Sequence, residues 1–61
     1  MSYRIQLYRG EIKVADLASD RPLGDTREDA VDACNLFKAD YALILDENGQ
    51  LIDRLKRSAP S

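Results

Sequence analysis

Sixty-one residues make one domain, and a chain this short buries only about 60% of the surface its unfolded form exposes, so it folds with little margin. A single cysteine, Cys34, excludes an intrachain disulfide, and the lack of histidine removes the commonest transition-metal ligand and the usual catalytic base. A net charge of −2 with both signs mixed gives no global pull toward nucleic acid, and an apolar share of 44% argues against disorder.

Met1-Ser2-Tyr3-Arg4 leads straight into a polar–apolar alternation, without an apolar stretch or a small-residue cleavage site. No signal peptide is therefore expected, and with an unpaired thiol this predicts a cytoplasmic location. Tyr3, Ile5 and Leu7 alternate with Arg4, Gln6 and Tyr8, the period of a half-buried strand over residues 3–9. Arg9-Gly10 offers a two-residue hairpin loop, with Gly10 free to take positive φ. A second strand over 11–17 follows, with Ile12 and Val14 against Lys13 and Ala15. Closure by Tyr8 and Glu11 sets Leu7 opposite Ile12 and Ile5 opposite Val14, all on one face.

Residues 18–25, with Pro22 and Gly24, read as a loop. Thr26 is placed to cap a helix ending by Asp40, with Glu28 and Asp29 near the positive end of its dipole. Ala30, Ala33, Cys34 and Phe37 form one stripe of a 3.6-residue period, and Cys34 there reads as a small buried hydrophobe. Tyr41–Leu45 is apolar at every position, far short of the roughly 20 residues of a membrane span. Asp46-Glu47-Asn48-Gly49 reads as a type I turn with Gly49 in a left-handed bulge. Closure on Asp46 and Gln50 pairs Leu45 with Leu51, Leu43 with Asp53, Tyr41 with Leu55, Ile44 with Ile52 and Ala42 with Arg54. The fourth strand runs to Lys56.

The pattern predicts an α+β domain over residues 1–57, with order ββαββ: a four-stranded, mainly antiparallel sheet with one helix packed on one face. A disordered tail is expected at 58–61. The third strand, apolar on both faces, belongs in the centre, which strand order 2-1-3-4 provides. One helix leaves one sheet face uncovered. The expected covered set is Tyr3, Ile5, Leu7, Ile12, Val14, Leu43, Leu45, Leu51 and Leu55. The expected open set is Arg4, Gln6, Tyr8, Lys13, Ala15, Ala42, Ile44, Ile52, Arg54 and Lys56, while the acids collect on the loop and helix.

The function read from that open face is non-enzymatic. A small interaction or accessory protein is expected, self-associating as a homodimer through the open face or a strand edge, with Tyr8, Ala42, Ile44 and Ile52 at the interface. The alternative is a module for nucleic acid or an acidic protein, binding through Arg4, Tyr8, Lys13, Arg54 and Lys56 with Tyr8 as a stacking platform. Hydrolase chemistry would need a base beside the nucleophile, and Glu28 with Asp32 is a solvated helix pair. The Asp46–Gly49 turn lacks the spaced ligands of a calcium loop. No catalytic residue, metal, cofactor, membrane or small-molecule substrate is expected.

The run Thr26-x-x-x-Ala30-x-x-Ala33, then Ala39-Asp40 and Leu45-Asp46-x-x-Gly49-x-Leu51-Ile52, resembles the short bacterial ββαββ domains of unknown function. In these a Thr-capped, alanine-rich helix precedes a hairpin with an Asp-x-x-Gly turn. The resemblance covers roughly residues 3–56, and the aromatic opening such domains often show is met only loosely by Tyr3. They carry no established catalytic residues, so it implies a fold and no site.

Overall fold

The computed structural model describes residues 2–56; Arg57 and the tail expected at 58–61 lie outside the described residues. Strands β1 (Tyr3–Arg9) and β2 (Ile12–Ser19) precede helix α1 (Leu23–Phe37), and β3 (Tyr41–Leu45) and β4 (Leu51–Lys56) follow it. The sheet is antiparallel in the order β2-β1-β3-β4, with α1 against one face. The all-apolar third strand thus lies inside the sheet, where both of its faces can be used.

The first hairpin turns one residue later than its alternation predicts. Arg9 pairs with Ile12, so Gly10 and Glu11 form the loop, and Gly10 takes the positive φ of 63° that its first central place requires. Beyond Lys13 the ladder slips, leaving Val14 as an extra residue on β2. Leu7 therefore pairs with Ala15 and Ile5 with Leu17, in place of Ile12 and Val14. A bulge lets adjacent residues lean toward the same side, and Val14, Ala15 and Leu17 all pack against the core. Ala15 was expected on the open face, and the slip is what moves it. Ile12 is left 70% exposed at the hairpin end.

The second hairpin closes as its turn chemistry predicts. Asp46 N–H donates to the Gln50 carbonyl at 2.9 Å, Gly49 N–H donates to the Asp46 carbonyl at 3.0 Å, and Gly49 has φ 83°. Leu45 pairs with Leu51, as expected. The ladder then slips by one, with Ile52 the extra residue, so Ile44 meets Asp53, Leu43 meets Arg54, Ala42 meets Leu55 and Tyr41 meets Lys56. Pairing with β1 fixes the faces independently: Ile5 lies opposite Ile44 and Leu7 opposite Ala42. Ala42 and Ile44 are accordingly fully buried beneath α1, and Leu43 and Leu45 point the other way. The faces expected for β3 are exchanged, since a one-residue slip inverts a whole strand.

Helix α1 begins three residues before Thr26. Pro22 occupies the N-cap, where a missing N–H costs nothing, and its carbonyl accepts the Thr26 N–H at 2.8 Å. No side chain caps the helix, so the expected cap by Thr26 is corrected. Thr26 is instead buried in the first turn, where its hydroxyl donates to the Arg21 carbonyl at 3.1 Å. Its oxygen then accepts from Ser19 Oγ at 3.0 Å, and Ser19 Oγ accepts the Arg21 N–H at 3.2 Å. Ala30, Ala33 and Cys34 are buried as their stripe predicts, whereas Phe37, the last residue of α1, is 41% exposed. The helix stops where Lys38 turns left-handed at φ 56°, and Arg9 reaches over from β1 to donate to the carbonyls of Phe37 and Lys38. Beyond it, Asp40 N–H donates to the Tyr8 carbonyl, and the Asp40 carboxylate accepts from Gly10 N–H. The last turn of α1 is thereby tied to the first hairpin.

Candidate interaction surface

Cross-strand pairing arranges the uncovered face in rows. The first row runs Lys13, Tyr8, Tyr41, Lys56 from β2 to β4, and the second runs Asp16, Gln6, Leu43, Arg54. The third runs Ala18, Arg4, Leu45, Leu51. Asp53 binds Arg27 of α1 at 2.8 Å and so lies on the helix side, which places its neighbour Ile52 on the open side, 37% exposed.

The first row is built on an aromatic pair. Tyr8 and Tyr41 stack with ring centroids 5.3 Å apart and planes within 7° of each other. That spacing is close to the distance between neighbouring strands, so the rings stand side by side across β1 and β3 and do not lie flat on the sheet. Arg54, on the far side of β3, sets its guanidinium 4.7 Å from the Tyr41 centroid, so Tyr41 is sandwiched. Tyr8 donates to Gln6 at 3.4 Å and Tyr41 to the Gly10 carbonyl at 3.4 Å.

Charge on the face is partly spent within it. Asp16 holds Arg4 at 3.6 Å and Lys13 at 3.4 Å, exposed contacts of small energy that nonetheless fix three side chains. Lys56 forms no ion pair among the described residues. Four cations thus share the face with one carboxylate.

Of the interface residues expected from sequence, Tyr8 and Ile52 lie on this face, and Ala42 and Ile44 belong to the core. Arg4, Tyr8, Lys13, Arg54 and Lys56 are all brought together here. Sequence reasoning missed Tyr41, Leu43, Leu45 and Asp16, and it put Leu51, 58% exposed opposite Leu45, on the covered side. The aromatic pair across β1 and β3 was the available signal, because placing Tyr41 beside Tyr8 commits Leu43 and Leu45 to the same side. No family model, no curated protein and no solved structure matches the chain, and the chemistry of the open face stands on its own residues.

Proposed function

We propose that the chain is a small non-enzymatic interaction protein whose open sheet face is covered by a second copy of itself. The observation that carries this reading is the apolar centre of Leu43, Leu45 and Ile52, half-buried or exposed with no described element above it. The size of the face fits. The Cα extents of 32 × 23 × 15 Å describe a thin slab whose broad side bounds the face at roughly 700 Å², of the same order as the roughly 800 Å² per partner of a stable interface. The strand edges fit less well. Both extra residues, Val14 and Ile52, fall on the edge strands, and bulges with charged side chains are the devices that discourage edge pairing.

Light scattering after gel filtration tests it, with about twice 6.9 kDa expected at high micromolar concentration. Leu43→Lys should return the mass to that of one chain while leaving the circular dichroism spectrum unchanged. A wild-type protein that stays monomeric at several hundred micromolar removes the proposal.

One observation favours a second reading, an acidic protein or nucleic acid bound through Arg4, Tyr8, Lys13, Arg54 and Lys56. The first row sets an aromatic pair between two lysines, the residue types that hold single strands. Against it, Tyr8 and Tyr41 occupy one another's faces and Arg54 takes the second face of Tyr41, so one ring face remains for a base. Short single strands should bind tightly at low salt and weaken steeply as salt rises, and no binding at low salt ends this reading.

A further inference from the structure

The open face is electrically polarised along its strands. At one end stands the row containing Lys13 and Lys56. At the other, the turn between β3 and β4 brings Asp46 and Glu47 to a groove of about 370 Å³ that they share with Ser2, Arg4, Ala18 and Leu45. Both carboxylates are held there by backbone donors. Asp46 Oδ1 accepts the N–H groups of Asn48 and Gln50 at 2.8 and 2.9 Å, and Glu47 Oε1 accepts the Ser2 N–H at 2.8 Å. Neither is ion-paired among the described residues, and neither is Lys56. Five residues of β3 separate the two poles, roughly 17 Å at the rise of an antiparallel strand. Of the other cations on the face, Arg4 and Lys13 are held by Asp16, and Arg54 by the Tyr41 ring.

We propose that the second copy docks with its strands end-for-end, so that the Glu47 end of each chain covers the Lys56 end of the other. The inference rests on the self-association reading. A two-fold pairing of identical faces allows two simple alignments of the strands. With the axis along the strands, each lysine row would meet its own copy, and like charges would be buried together. With the axis across the strands, each pole meets its opposite twice, once per chain, while Leu43 near the centre packs on or close to its own copy. The polarity of the face selects the second.

Charge exchange tests the orientation. Glu47→Lys and Lys56→Glu alter exposed side chains, so both variants should keep the wild-type circular dichroism spectrum. By sedimentation equilibrium each should self-associate roughly tenfold more weakly than wild type, since two facing contacts become repulsive. An equimolar mixture of the two should associate as wild type does, because both contacts are then complementary again, and so should a chain carrying both changes. Variants that dimerise as well as wild type, or singles that weaken without recovering on mixing, overturn the orientation and leave self-association standing. A wild-type chain that never dimerises removes the underlying reading instead.

Discussion

On the covered side of the sheet, Ile5, Leu7, Ala42 and Ile44 meet Ala30, Ala33 and Cys34 of α1, and none of these is more than 8% exposed. On the open side Leu43 and Leu45, neighbours of Ile44 in the same strand, stay half-buried. The chain thus supplies β3 with large apolar residues on both faces and a lid for one. The lid fits closely because its contact stripe is small: alanine, cysteine and threonine let the helix approach while the sheet contributes the bulk. Side chains one residue apart should then respond oppositely. Ile44→Ala should cost about 2–5 kcal/mol by leaving a cavity, and Leu43→Ala about 1 kcal/mol or less, both read by urea unfolding at concentrations low enough to keep the chain monomeric. Equal costs would break the distinction between the faces. In an association assay the order should reverse, with Leu43→Ala the more damaging of the two among folded protein.

Polar groups sharpen the same contrast. The Ser19–Thr26 hydroxyl pair is buried under the start of α1, and its hydrogen bonds close the connection from β2 to the helix. Thr26→Val keeps the shape and removes both the donor to Arg21 and the acceptor for Ser19, so a buried hydroxyl is left without its partner. The expected loss is about 1–3 kcal/mol, visible as a lowered urea midpoint with an unchanged slope. On the open face, the 3.4 Å bond from Tyr8 to Gln6 is long and within reach of water. Tyr8→Phe should therefore move stability by less than about 0.5 kcal/mol. A Thr26→Val protein as stable as wild type would show that the hydroxyl pair is incidental to the fold.

The element order, the strand order and the loop glycines were legible in the sequence, each for a local reason. Alternation marks β1, an apolar run marks the inner strand β3, and Gly10 and Gly49 stand where the chain needs positive φ. The stripe Ala30, Ala33, Cys34 was equally legible, because helical spacing is insensitive to what lies beneath it. Two single-residue insertions were not. Val14 and Ile52 each add a residue to an edge strand, and counting outward from a turn assumes that the ladder never slips. The slip beside Ile52 exchanged the faces of β3, which being apolar throughout carried no phase of its own to contradict the count. The basic set survived, because Arg4 and Tyr8 lie on a strand whose polar–apolar alternation fixes its phase, and Leu55 between Arg54 and Lys56 fixes that of the last part of β4. Thr26 was misread for a different reason. A threonine before acidic residues is a capping signal, yet the buried partner at Ser19 lies seven positions away, where local pattern does not reach.

A stabilising change separates the lid from the face beneath it. Lys38 ends α1 in the left-handed region at φ 56°, ψ 38°, where a Cβ crowds the following carbonyl. Its backbone N–H donates to Cys34, as does that of Ala39 at 2.9 Å, so the conformation is required to close the helix and would persist with glycine. Lys38→Gly relieves the crowding but loosens the unfolded chain, and the two terms leave a net gain of about 0.5–1 kcal/mol. For a domain of this size that raises the melting temperature by roughly 3–8 °C. The residue is exposed at the end of the helix and takes no part in the rows of the open face, so the self-association proposed for that face should not move with it. A Lys38→Gly chain that melts higher and associates as before would show that the two sides of the sheet can be tuned separately. A change in association of the same size as the change in stability would show that covering one side reshapes the other.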